Sequence, residues 1–500
     1  MSRVKKNFIA NLAGSGWTAL LGLACTPLYI KFLGMEAYGL IGFYLTMNGV
    51  IQILDLGLSP TMTREMARYS ALPEKAGEAR DFVRTLEIGY WAIGLLIGAV
   101  VYFAAPLIAT HWIKPGRLTP DEVLHAIRIM GALAALQWPF SFYQGGLIGL
   151  QRQVLLNGLS IAMATLSSVG AVLILWRVSP TVSAFFTWQI AVWCLQVVLI
   201  TVALWRCLPA TERPARITPA LVRNVWQFAA GMSGITLSAL ILTQIDKVIL
   251  SKLLDLTTFG YYMLASVITT GISSVLITPM FNTVFPRFSA LVAEKDEKGL
   301  TDMYHGSTQV MAVLILPVAA VLCLFSHEVM MLWTQNTEVA RNTAPIVTIL
   351  VIGTALNGLM NLPYALQLAH GWTKIGLQIN TVFIFTLVPT ILFLATRYGA
   401  VGAAAVWVLL NGTYMAVGVP LTHRRLLQGE AGRWFLRDVG LPLTGSLLVV
   451  LIGKQVLDIP PAPIPAILSL GALLLLAFTV AALATPQLRY LLMKPKVPGA

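Results

Sequence analysis

The amino-acid sequence predicts an all-α integral membrane protein of about fourteen transmembrane helices: two six-helix lobes related by a pseudo-two-fold axis along the membrane normal, then two C-terminal helices. Three observations predict this. Of the 500 residues, 57% are apolar or aromatic and 11% are charged, with a mean hydropathy of +0.77. A soluble domain is about half apolar and about a quarter charged, so only lipid can solvate the surplus. Apolar runs of about 20 residues, the length that crosses a bilayer as a helix, recur along the whole chain. Finally, the sequence aligns with itself at a shift of 221 residues.

The runs fall at 8–30, 38–60, 85–110, 125–150, 154–176, 182–205, 224–254, 259–285, 305–333, 342–370, 376–396, 400–422, 439–458 and 462–484. The first follows a basic start, MSRVKK, but is longer than the core of a signal peptide, so it reads as a retained span. With the N-terminus inside, 24 of the 34 Lys and Arg collect on cytoplasmic segments, which predicts an even span count and both termini in the cytoplasm. The net charge of +13 is thereby a topology signal, and nucleic acid drops out as a partner. Connecting segments stay below about 25 residues and leave no room for a soluble catalytic domain.

The shift of 221 aligns KFLGMEAYG (31–39) with KLLDLTTFG (252–260), pairing Lys31 with Lys252 and Gly39 with Gly260. It also pairs Trp112 with Trp333 and Tyr143 with Tyr364, each at the same place in the span pattern. A repeat of six spans keeps its orientation in the membrane, which predicts an N-terminal lobe 1–223, a C-terminal lobe 224–438, and an appendix 439–500. Duplicated halves of this kind place a substrate path between them and work by alternating access.

Ionisable and polar residues inside a span are costly, and function is the first hypothesis for them wherever they face an interior. In the second run, Asn48, Gln52, Asp55 and Ser59 recur at i, i+4, i+7 and i+11, one face of a helix that cannot meet lipid. Interhelical hydrogen bonding explains such a face; a water-filled path explains it better, because a carboxylate is a poor choice for packing alone. Thr354, Asn357, Asn361 and Tyr364 repeat the pattern without charge, and there structural bonding and a sugar-binding wall weigh equally. Asp246 and Lys247 are adjacent, about 100° apart around a helix, so Lys247 can reach a cavity while Asp246 pairs with a neighbouring span. Arg128 snorkels to headgroups or faces inward, as do Lys31 and Lys252 at their span ends. Arg64 and Arg68 flank Glu65 after the break at Ser59-Pro60; an ordinary basic inner loop and a phosphate-binding gate are the two readings.

Signatures of soluble chemistry are missing: no GxxxxGK, GxGxxG, HExxH or GxSxG occurs, so neither an ATP site nor any cofactor is expected. The six histidines lack metal-ligand spacing, and no metal is expected. Cys25, Cys194, Cys207 and Cys323 stand singly in or beside apolar runs and are expected to pack as small hydrophobes.

Four stretches, DLGLSPTMTREMARYSA (55–71), GLIGLQRQVLLNGLSI (146–161), QIDKVILSKLLDLTTFGYY (244–262) and YGAVGAAAVWVLLNG (398–412), resemble the polysaccharide transporter family, the Wzx-type oligosaccharide-lipid flippases. These belong to the multidrug/oligosaccharidyl-lipid/polysaccharide exporter superfamily. The resemblance implies a bacterial inner-membrane flippase, not an enzyme. Its cargo would be a polyprenyl-diphosphate-linked oligosaccharide, such as an O-antigen unit. It also implies a V-shaped pair of lobes around a cationic cavity, within the lipid bilayer and beside the polysaccharide polymerase machinery.

Such a cargo needs cations for its diphosphate, for which Arg64, Arg128, Lys31, Lys247 and Lys252 are the candidates. It needs amides and rings for its sugars, supplied by Asn48, Gln52, Asn357, Asn361 and Tyr364, while Asp55 or Asp246 can carry a coupling H+ or Na+. The alternatives are a cation-coupled multidrug exporter and a lipid II flippase of the same superfamily.

Overall fold

The computed structural model describes residues 3–53, 55, 58–211, 213–218, 243–372, 374–460 and 462–486. The described residues are helices and short turns, and eleven of the helices are long and apolar enough to cross a membrane. The protein is a multi-pass helical membrane protein. Two compact units, Met1–Gly260 and Tyr261–Ala500, divide the chain.

The first unit runs through α1 (Arg3–Leu33), α2 (Met35–Ile53), a short α3 (Leu58–Ser70), α4 (Ala76–His111), α5 (Pro120–Gly149), α6 (Gln153–Arg177) and α7 (Val182–Cys207). Residues 243–253 form the described end of α8. Local chemistry sets several boundaries. Gly34, at φ +82°, ends α1 in the left-handed region that only glycine enters without strain. Thr119 accepts the Glu122 N–H while the Glu122 carboxylate accepts the Thr119 N–H at 2.8 Å, a capping box with Pro120 at the first helical position. The core of this unit lies among α3, α4, α5 and α7, where Met62, Phe82, Tyr90, Phe142, Tyr143 and Leu204 are buried together.

The second unit continues with α9 (Leu256–Ile272), which begins in the first unit and passes through a π turn (Ser273–Ile277) into α10 (Thr278–Glu294). There follow α11 (Glu297–Leu324), α12 (Ser326–Thr334), α13 (Thr337–Ala369), α14 (Lys374–Thr413) and, beyond a second π turn, α15 (Val419–Leu426). A single turn α16 (Ala431–Arg433) and the π segment Trp434–Gly440 lead into α17 (Leu441–Val456), and α18 (Pro463–Ala484) closes the described chain. Asp296 and Asn336 cap α11 and α13 by accepting the N–H of Gly299 and Val339. Phe325, Val450, Leu473 and Ala477 form a core among α11, α12, α17 and α18.

Three differences from the predicted runs have physical causes. The run 38–60 is not one helix: α2 ends at Ile53, Asp55 sits in a turn, and α3 starts afresh at Leu58, because the Asp55 carboxylate caps the new helix. Runs 376–396 and 400–422 are separated only by Gly399, whose φ of +59° and ψ of −141° break the helix without a loop. The run 305–333 is divided at Phe325 into α11 and α12. The run 224–254 lies for most of its length outside the described residues, and fourteen therefore stays an expectation of the sequence.

Candidate functional site

In the first unit every conspicuous carboxylate is engaged. Asp55 accepts from Ser59 N at 3.1 Å, Ser59 Oγ at 2.9 Å and Tyr90 Oη at 3.1 Å. The predicted face therefore divides: Asn48 and Gln52 belong to α2, Asp55 to the turn, and Ser59 to α3. Helical spacing cannot continue through a residue that is itself a helix cap. Asp55 remains the point where α2, α3 and α4 meet, but as a bonded cap.

Glu87, which the sequence reading passed over, is buried on α4. It accepts from Tyr143 Oη at 2.7 Å, Trp205 Nε1 at 3.2 Å and Arg84 Nη1 at 2.9 Å, while Trp91 Nε1 donates to Tyr143 Oη at 3.0 Å. Asp81 is held by Arg213 Nη2 and by the Arg216 N–H, each at 2.7 Å. Glu36, at the start of α2, accepts three consecutive N–H groups from Gly116, Arg117 and Leu118 at 2.6, 2.8 and 3.1 Å and so pins the connection before α5.

The predicted cations have particular partners. Arg64 donates to the neighbouring Glu65 at 2.6 Å, and Arg68 lies 3.6 Å from the same buried carboxylate. Lys247 pairs with Asp246 at 3.3 Å and donates to Thr243 O at 2.9 Å. The two adjacent residues thus reach each other despite their angular separation, because the lysine stem is long enough to curl back. Arg128 lies 5.2 Å over the Tyr102 ring, and Lys252 lies 5.0 Å over Trp112. Lys31 is exposed at the last turn of α1. The structure does not gather these five cations into a described cluster.

Also inside the first unit, Gly39 on α2 and Gly260 on α9 meet. A Cβ on Gly39 would stand 2.0 Å from Leu256 O, and one on Gly260 would stand 2.7 Å from Met35 O. Met35 and Leu256, like the two glycines, are 221 residues apart. The contact is reciprocal, as a local two-fold relation between the two segments requires.

In the second unit the polar residues of α13 come together. Asn361 donates to Asn357 O at 2.9 Å, Asn357 donates to Asn411 Oδ1 at 2.9 Å, and Asn411 donates to Trp407 O at 2.9 Å. Thr354 is buried and receives Trp407 Nε1 at 3.3 Å, so it belongs to the packing of α13 against α14. Tyr364 is 36% exposed and near-parallel to Phe281 at 6.2 Å, which is near-parallel to Phe285 at 5.7 Å. On α10 the uncovered residues next to these rings are Thr278, Asn282, Thr283 and Arg287. A face of amides, hydroxyls and a guanidinium is not one that lipid covers. Periodicity named Asn357, Asn361 and Tyr364; it missed Phe281, Phe285 and Asn411, which look like ordinary apolar-run residues until α10 and α14 flank α13.

A second polar node is fully buried at one end of α11. The ring nitrogens of His305 face Asp438 and Glu430, the second at 3.0 Å, and Gln309 Nε2 donates to Asp438 Oδ1 at 2.7 Å. With 133 residues between His305 and Asp438, no spacing rule could find it. It fastens α11 to the segment leading into α17. Among the described residues no group of three or more His, Cys, Asp or Glu is placed to hold a metal ion.

This helical architecture, with polar faces on long apolar helices, is that of a multi-pass membrane transporter. The solved lipid II flippase MurJ, in its inward closed conformation, has the same fold: TM-score 0.71 at 13% identity, covering 97% of this chain and 100% of that one. An inward-facing MATE-family multidrug resistance transporter matches at TM-score 0.62 and 17% identity over 82% of this chain and 94% of its own. In sequence, residues 4–292 match the family described as "Polysaccharide biosynthesis protein". The chain belongs to that family. A Shigella flexneri protein named as an O-antigen transporter is 20% identical over 404 residues, 80% of this chain and 93% of that protein. The succinoglycan biosynthesis transport protein ExoT of Rhizobium meliloti (strain 1021) is 24% identical over 319 residues, 61% and 58% of the two chains.

Proposed function

We propose that this protein is a flippase that carries a polyprenyl-diphosphate-linked oligosaccharide, an O-antigen or other surface polysaccharide unit, across the bacterial inner membrane. The family match, together with two relatives named for polysaccharide transport, supports the cargo class. The observation in the molecule that carries the reading is the uncovered face of α10 and α13, where Asn282, Asn361 and Tyr364 offer amides and a ring inside otherwise apolar helices. Amides meet sugar hydroxyls, and the electron-rich faces of Phe281 and Tyr364 meet the C–H faces of a pyranose. Arg287, at the basic end of the same face, is the nearest cation for a diphosphate.

Movement is by alternating access of two halves, 1–223 and 224–438, with 439–500 accessory and both termini cytoplasmic. The reciprocal Gly39–Gly260 contact supports that duplication. Coupling to H+ or Na+ supplies the drive, and a polysaccharide polymerase consumes the product. Asp55 and Asp246 remain the membrane carboxylates to test as ion carriers. Their ties to Ser59, Tyr90 and Lys247 are the contacts that ion binding would have to replace.

Deleting the gene in its host tests the reading. Surface polysaccharide should disappear, lipid-linked oligosaccharide should accumulate on the cytoplasmic leaflet, and viability and drug resistance should be unchanged. Unchanged surface glycan with new drug sensitivity would assign the chain to drug export, and lethality with accumulated lipid II would assign it to that lipid.

A further inference from the structure

A groove of about 700 Å³ opens on the first unit between α4, α5 and α7. Its walls are apolar, from Ile88, Leu95, Leu136, Val197 and Val198, and several of these side chains are exposed, Leu95 at 61% and Val198 at 58%. One end is different. There Glu87 accepts from Tyr143, Trp205 and Arg84, and the guanidinium groups of Arg80 and Arg84 lie 5.3 and 5.5 Å over the Trp205 ring. Arg80 donates through Nη1 to Pro209 O at 3.1 Å, but its buried Nε finds no acceptor among the described residues.

The dimensions suit one ligand class. From Arg84 to Leu95 the groove follows α4 for about 16 Å, roughly half of a 30 Å hydrocarbon core and so the depth of one leaflet. Two arginines and an interfacial tryptophan at the mouth of an apolar channel match a phosphate headgroup above a single acyl chain. The buried Glu87 does not cancel this. It fixes Arg84 by one edge and leaves that side chain 50% exposed.

We propose that this groove is a binding site for an anionic phospholipid, with one acyl chain along α4 and the phosphate on Arg80 and Arg84. The occupant is a resident lipid and not the transported cargo: the groove is separate from the α10–α13 face, and its lining carries no amide for a sugar. It also accounts for Cys194, which lines the groove exposed instead of packing inside as a small hydrophobe.

Native mass spectrometry of the purified full chain, mixed with equal dioleoyl phosphatidylglycerol and dioleoyl phosphatidylcholine, tests the site. Wild type should retain phosphatidylglycerol in preference. Arg80→Gln/Arg84→Gln, which removes the headgroup contacts, and Ala92→Trp, which fills the groove from an exposed position and leaves both arginines, should each lower that retention about fivefold or more. Melting temperature without added lipid identifies a variant that has merely misfolded, and the other variant then decides. Equal retention of the two lipids by wild type, or undiminished retention in a folded variant, overturns the proposal. Displacement of phosphatidylglycerol by bare undecaprenyl diphosphate overturns it too, since the mouth would then belong to the cargo.

Discussion

Tyr143 and Tyr364 occupy matching places, 221 residues apart, yet they live differently. Tyr143 on α5 is completely buried and donates to Glu87 of α4. Tyr364 on α13 is 36% exposed and lies against Phe281. The same shift explains the difference: Glu87 falls opposite Thr308, and Trp91 opposite Ala312, so α11 offers Tyr364 neither the carboxylate nor the indole that hold Tyr143. A duplicated helix pair has kept one tyrosine as a brace and turned the other toward an open polar face. Likeness of position therefore does not carry likeness of role; the partners across the helix pair decide it.

The comparison breaks first at Glu87. Glu87→Leu strands donors from Tyr143, Trp205 and Arg84 and should destabilise the protein by about 3 kcal/mol, read as a fall in melting temperature and in membrane yield. A smaller loss would mean that the network is already open to water. Next come the tyrosines themselves. Tyr143→Phe loses a hydrogen bond to a charged acceptor and should cost about 2 kcal/mol, whereas Tyr364→Phe should cost less than about 0.5 kcal/mol. Equal costs would remove the distinction. On transport the order should reverse: Tyr364→Ala should cut surface-glycan output several-fold at matched protein level, and Tyr143→Phe should leave it in proportion to the protein present.

Asp55→Ala sharpens the same question at the α2–α3 turn, with an expected loss of about 1 kcal/mol for a missing helix cap. Asp55→Asn keeps the cap and should keep both stability and transport; transport lost in a stable Asn variant would make Asp55 an ion carrier instead. The smallest effect should be at Arg64, whose side chain is 51% exposed: Arg64→Ala should change stability by less than about 0.5 kcal/mol. A large drop in glycan output from that stable variant would assign Arg64 to the diphosphate.

Much of the fold was legible because bilayer crossing imposes a length and an apolar composition that any helix must meet, as α4, α5, α6, α7, α13 and α18 do. The candidate site was legible only in part. Asn357, Asn361 and Tyr364 share a face of one helix, which is a property of spacing. Asp55 was misread because three residues of turn shift every later residue off the helical face, and hydropathy averages cannot see a break that short.

The sequence by itself determined that the chain is a multi-pass helical membrane protein, that its positive charges cluster on alternate connections, and that its two halves align. Each is a one-dimensional property of composition or period. Only the tertiary structure decided which polar groups are spent on each other. Lys247 turns back to Asp246, His305 meets Asp438 across 133 residues, and Glu87 gathers donors from α5 and α7. In a low-dielectric interior a polar group must find a partner wherever the fold puts one, and that place is fixed by helix packing, not by distance along the chain.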